Sequence, residues 1–222
     1  RFSAESNGRI AASMAVLDAA LLHELGRLAE TCAGAGCGYP PGMAEAERLI
    51  FKPVVESLFI HGLADRRTPA FDEALRTLGI DLGQLRPGYP FEVWERAIVS
   101  AVVLFPELSR EQALETMGRR LTEATFDHSV VGRVMLPLLR LLGVGQGAMR
   151  ALPHGADQNF NHITFGALTR GSLEVRMSHV GGIPEFAQGA LLGLFPRLGA
   201  KDVRCRITRV APPGAEYLVE WS

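Results

Sequence analysis

Between Leu173 and Trp221 apolar and polar residues alternate along most of the chain. In SLEVRMSHV, Leu173, Val175 and Met177 fall on one side and Glu174, Arg176 and Ser178 on the other, the period of two of a half-buried strand. VRCRITRV repeats the pattern with Val203, Cys205 and Ile207 opposite Arg204, Arg206 and Thr208. The turn APPGAE then leads into YLVEW, where Tyr217, Val219 and Trp221 alternate. Between the two strand regions Pro184 suits a first helical turn, FAQGALLGLF supplies an apolar stripe, and Gly199 supplies a stop. Upstream, NFNHITFGAL and SLEV flank the turn TRG as a hairpin. The segment therefore reads as hairpin, helix, hairpin: a four-stranded antiparallel sheet within residues 159–221, with the last helix packed on it and Trp221 near the sheet's end.

The pattern upstream has the helical period. Ile10, Met14, Leu17, Leu21, Leu25 and Leu28 predict an amphipathic helix over residues 9–30, and the glycine- and proline-rich TCAGAGCGYPPG reads as a linker. Because MAEAERLIF resembles a natural start, residues 1–42 are expected to be an extension, with residues 43–222 as one α+β domain. Its helical part spans 43–157 and its sheet part 158–222. PVVESLFIHGLA and TPAFDEALRTLG predict short helices, the second stopped by Gly79. FEVWERAIVSAVVLF predicts a central helix with Phe91, Trp94, Ile98 and Val102 on its buried stripe. Ser109 and Gln112 form a capping box before the next helix, and SVVGRVMLPLLRLLG gives another with Pro137 inside. GQGAMRALPHGADQ reads as a connector with one helical turn, so at least five helices are expected before any strand. The fold class is α+β, a helical N-terminal half followed by the sheet.

Composition narrows the possible functions. The 222 residues are 47% hydrophobic and 21% charged, enough to bury a sizeable core. A net charge of -1 supplies no long-range attraction to polyanions, which argues against a nucleic-acid partner. Three cysteines, Cys32, Cys37 and Cys205, are an odd count that fits unpaired thiols in a reducing, cytoplasmic setting. There is no uninterrupted apolar run of about 18 residues, so no membrane span is expected, and a membrane is not expected as a partner.

Catalytic motifs are missing. Cys32 and Cys37 are spaced C-x4-C without a second ligand pair, and the six histidines form no H-E-x-x-H, so no metal site is expected. There is no G-x-S-x-G, no P-loop and no dinucleotide fingerprint, and Glu56, Asp72, Asp81 and Glu185 are too scattered to pair as acid and base. Arg176, Arg204, Arg206 and Arg209 lie on the polar sheet face with Glu174, Glu216 and Glu220, which reads as cross-strand ion pairing, with a basic stripe for a phosphate or carboxylate ligand as the alternative. Gly189 and Gly193 on the last helix are expected to allow close helix-to-sheet packing, with a glycine-lined ligand cleft as the alternative. No catalytic residues are assigned, and the chain is read as non-enzymatic.

From about Leu49 to Trp221 the chain resembles a paralogous family of uncharacterised myxobacterial proteins. The resemblance rests on IFKPVVESLF, LGIDL, GYPFEVWERA, MGRRL, NFNH, IPEFAQGALLGLF and YLVEW. The order of elements is also similar to haem-based nitric oxide and oxygen sensors and to vinyl-reductase-type sensor domains. The haem sensors hold propionates with a Tyr-x-Ser-x-Arg pattern. The matching stretch here has Arg176, Ser178 and Val180, which keeps the serine and loses both strong donors. His154 is the candidate axial ligand that this resemblance implies, in a context read as loose connector. No cofactor is assigned.

The expected function is a small-molecule-sensing or signalling domain that binds a largely apolar ligand between helices and sheet. A protein-interaction or homodimerisation module without ligand is the alternative, and a haem-type gas sensor a weaker one; a homodimer or a signalling protein is the partner expected. Tyr89, Trp94, Asn159, Asn161 and Glu185 each open or line an element near that seam and form the candidate ligand-binding set.

Overall fold

The computed structural model describes residues 48–157 and 162–222. The expected helix over residues 9–30, its linker, Cys32, Cys37, Asn159 and Asn161 lie outside them, as does the proposed boundary near residue 43.

The alternating segments form the expected sheet. Strands β3 (Ile163–Leu168), β4 (Ser172–Met177), β5 (Arg204–Ala211) and β6 (Gly214–Glu220) pair antiparallel in the order β3-β4-β6-β5. Register places Leu173 opposite Val219 and Val175 opposite Tyr217. On the far side of β6, Cys205 and Ile207 meet the same two partners. One face is thus a continuous apolar row, with Leu173, Val175 and Val219 fully buried. On the other, Arg176 and Arg209 approach Glu216 across strands at 3.9 and 4.0 Å, part of the cross-strand pairing the charge pattern implied, and Arg176 also lies 3.8 Å from Glu174 of its own strand.

Helix α1 (Lys52–Val55) opens with Pro53 and runs into a π-helical turn, Glu56–Gly62. α2 (Pro69–Thr77) is capped by the Thr68 hydroxyl, which accepts from the Phe71 amide, and ends before Gly79 at φ +88°. α3 (Phe91–Ala101) buries Trp94, Ala97, Ile98 and Ala101, so the expected stripe holds at Trp94 and Ile98. α4 (Arg110–His128) carries the complete Ser109–Gln112 capping box, and α5 (Val130–Leu141) contains Pro137. Trp94, 3% exposed, packs edge-on against Phe59 at 5.6 Å and Phe186 at 6.0 Å.

Three expectations need correction. Strands do occur before Leu142: β1 (Leu49–Phe51) and β2 (Gly88–Pro90) form an antiparallel pair. Three residues are too few to display an alternation, which is why the pattern hid them. The stretch read as a connector is α6 (Val144–Asp157), a helix of 14 residues. Its glycines and Pro153 lower intrinsic propensity, but packing outweighs this. Ala148 is fully buried, and a Cβ on Gly147 would lie 2.6 Å from the Leu139 carbonyl of α5, so glycine is what lets the two helices approach. The third concerns α7 (Pro184–Arg197), whose Gly189 and Gly193 face a helix, not the sheet. A Cβ on Gly189 would collide with the Glu115 carbonyl of α4, and one on Gly193 would sit 2.8 Å from the Arg119 carbonyl. Gly118 returns the contact from α4 against the Phe186 carbonyl, so the crossing is nearly backbone on backbone.

Candidate functional site

Two apolar clusters divide the core, and α7 belongs to both. Ile183 and Phe186 lie in the helical cluster with Trp94, Phe59 and Met117. Leu191, Leu194 and Phe195 lie in the sheet cluster with Val175 and Tyr217. The seam between helices and sheet therefore runs along the first turns of α7.

The loop leading into α7 is fastened to the helical half by polar contacts. The Gly182 amide donates to Glu95 Oε1 at 2.5 Å, and Arg110 donates to the Gly182 carbonyl at 3.3 Å. Gly181 adopts φ +57°, where a Cβ would also meet Glu95, so this turn needs glycine for conformation and for space. The His179 ring stands edge-on to Phe91 at 5.0 Å and meets the Arg48 guanidinium through Nδ1.

Inside the seam, the Tyr217 hydroxyl donates to the Pro184 carbonyl at 3.0 Å, tying β6 to the first residue of α7. Burial, with Cys205 and Glu185 nearby, pushes its phenol far above its ordinary value. Burial likewise pushes the Cys205 thiol up to about 12, with Glu115 adding to the effect. Both groups stay neutral and un-nucleophilic at neutral pH. Glu185 differs from them: its Oε2 is buried and has no hydrogen-bond partner among the described residues. An orphaned carboxylate oxygen costs free energy unless something donates to it.

Of the expected site residues, Trp94 touches Phe186, the residue that follows Glu185 in the first turn of α7. Tyr89 is buried in the same helical cluster, and its hydroxyl accepts from the Arg86 amide at 2.9 Å. Glu95, His179, Arg110 and Tyr217 also fasten the seam and were not anticipated. The adjacent glycines at 181 and 182 were the one available signal, marking a turn that needs close approach. Two shallow surface grooves, of about 650 and 320 Å³, lie elsewhere; neither is lined by Tyr89, Trp94 or Glu185. No group of three or more His, Cys, Asp or Glu among the described residues could hold a metal ion. His61 and His128 stack at 4.1 Å with no third ligand. No described helix is long and apolar enough to cross a membrane.

Solved structures similar to this fold include H-NOX proteins. The H-NOX protein from S. oneidensis in the Fe(II)NO ligation state is 12% identical, with a TM-score of 0.58 over 78% of this chain and 99% of that one. A mutant H-NOX protein from K. algicida, in the unliganded Fe(II) state, is 11% identical, with a TM-score of 0.55 over 78% of this chain and 97% of that one. An oxygen-binding H-NOX domain related to soluble guanylate cyclases, in its oxygen complex, is 8% identical at a TM-score of 0.55 over 76% of this chain and 93% of that one. At these identities the likeness is one of fold. No curated protein matches the chain in sequence.

The residues at the propionate-clamp positions do not fit a haem. Arg176 points to the outer sheet face beside Glu174 and Glu216. The Ser178 hydroxyl accepts from the His162 amide at 2.9 Å, and Val180 is buried in the sheet cluster. Neither Arg176 nor Val180 is arranged as a donor to two carboxylates. The backbone at His154 is helical, not loose connector as expected. A family model described as "Protein of unknown function (DUF2378)" matches residues 48–222, and the chain belongs to that family.

Proposed function

We propose that residues 43–222 form one non-enzymatic sensing domain, which takes a small, largely apolar ligand at the seam between the helical half and the sheet. The observation that carries this reading is Glu185. A carboxylate oxygen buried without a donor, in the first turn of the helix that belongs to both clusters, suits a ligand that presents one hydrogen-bond donor from an apolar body. Trp94 and Tyr89 supply apolar wall on the helical side, and Asn159 and Asn161, just before β3, are proposed to add polar contacts. Likeness of fold to H-NOX sensors supports the assignment to sensing. The odd number of cysteines supports a cytoplasmic setting.

Native mass spectrometry of the freshly purified full chain tests this. A bound small molecule, released or weakened in Glu185→Gln, is the expected result. A bare monomer that no small-molecule extract stabilises against heat would overturn the reading, and a ligand-free dimer would favour the homodimerisation module instead.

A further inference from the structure

Helix α5 presents an apolar ridge to solvent. Val134 is 61% exposed and Leu141 84% exposed, and seven residues apart they stand on nearly the same side of the helix, with Pro137 exposed between them. Leu139 and the half-buried Met135 and Leu136 occupy the inward sides. Leu142, 53% exposed, continues the ridge beyond the helix. It meets the shallow groove of about 320 Å³ where Leu168 and Trp221 come to the surface beside Arg170.

Along α5 and most of α6 the charged residues have one sign, and the neighbouring Asp127 of α4 is held by Arg197 at 2.6 Å. Ser129 to Ala156 contains Arg133, Arg140 and Arg150 and not one Asp or Glu. Arg133 and Arg140, both exposed, share one flank of α5, roughly a third of a turn from the ridge. Arg140 donates through Nε to the Arg197 carbonyl at 2.6 Å, and no described carboxylate pairs with Arg133, Arg140 or Arg170. A second copy of the chain is a poor occupant, because an isologous contact would bring these arginines together without counter-charge. A partner helix needs a recess for its apolar residues, whereas Leu141 and Val134 stand proud of the surface. Protruding apolar side chains, cations along one flank and a Trp at the boundary suit an anionic lipid surface.

We infer that the α5 ridge, with Leu142, Trp221 and Arg170 at its end, is a peripheral docking surface for anionic membranes, independent of the ligand seam. The full chain should co-sediment with vesicles of phosphatidylcholine and phosphatidylglycerol, much less with phosphatidylcholine alone, and binding should weaken as salt rises. Val134→Ser with Leu141→Ser should weaken partitioning about tenfold or more, and Arg133→Gln with Arg140→Gln by about tenfold or more together. Val134 and Leu141 are exposed, so the thermal midpoint of the serine pair should stay near that of the unsubstituted chain. Leu141→Trp should bind more tightly, a gain that loss of folding cannot imitate.

Absence of binding to the anionic vesicles would overturn the inference, as would equal binding to neutral ones or indifference to these substitutions. So would a doubled mass lost in Leu141→Ser, which would assign the ridge to a second copy. Binding to an acidic amphipathic peptide without vesicle binding would likewise assign it to a protein partner.

Discussion

Gly118 and Gly189 show how much one missing methyl group can decide. Each occupies a point of the α4–α7 crossing where a Cβ would overlap a backbone carbonyl of the other helix. Such an overlap is relieved only by separating the helices, because a carbonyl has no rotamer to change. Gly189→Ala should therefore destabilise the chain by about 1 to 3 kcal/mol, the usual range for overpacking. Urea unfolding would measure this, and a change within error of zero would mean that the helices slide apart freely. Trp94→Ala, an emptied core site, should cost about 3 to 5 kcal/mol in the same assay. At Asp72 the prediction concerns pH. Its carboxylate accepts two bonds from Arg67, at 3.0 and 2.8 Å, which hold its pKa below the ordinary 3.8. A depressed carboxylate stabilises fully above its unfolded pKa and loses that contribution as pH falls through the lowered folded value. The stability gap between the unsubstituted chain and Asp72→Asn should thus be present at neutral pH and close in acid, and a gap that persists at low pH would refute the pair as its source.

At the scale of elements, local signals and packing divide the credit. α4 begins where its sequence says, because the Ser109–Gln112 box closes two orphan amides within a few residues. Ser109→Ala should cost about 1 kcal/mol without changing the slope of the denaturant transition. α6 is the opposite case. Locally only AMRAL favours a helix in GVGQGAMRALPHGAD, yet Gly147 fits under the Leu139 carbonyl and Ala148 is wholly enclosed. The same glycines that lower helix propensity make the approach to α5 possible. β1 and β2 are held from outside too: the pair is extended by the Lys52 amide donating to the Pro87 carbonyl and the Phe91 amide to the Arg48 carbonyl, both at 2.9 Å. Contacts some forty residues apart leave no periodicity to read.

For the molecule as a whole, the fold resembles H-NOX while the clamp positions do not. Supplied with haem, the purified chain should give no sharp Soret band of a coordinated, protein-held haem. Such a band, abolished in His154→Ala, would reverse the fit argued from Arg176, Ser178 and Val180. α7 is the part that both halves share, bound to α4 by Gly118 and Gly189 and by Arg197 on Asp127 at 2.6 Å. A ligand at Glu185, as proposed, would meet the one helix that both clusters share.

By itself the sequence determined the antiparallel sheet, the capped and proline-started helices and the burial of Trp94. Each follows from a period or a signal contained within a few consecutive residues. Of the candidate site it marked Tyr89, Trp94 and Glu185, with Asn159 and Asn161 outside the described residues, but not Glu95, Tyr217 or His179. Only the tertiary structure decided that Gly189 faces a helix instead of the sheet, that a glycine-rich connector is helical, and that one oxygen of Glu185 is buried without a donor. Those outcomes depend on which backbone comes near from distant parts of the chain, and alternation along a single segment carries no record of its neighbours.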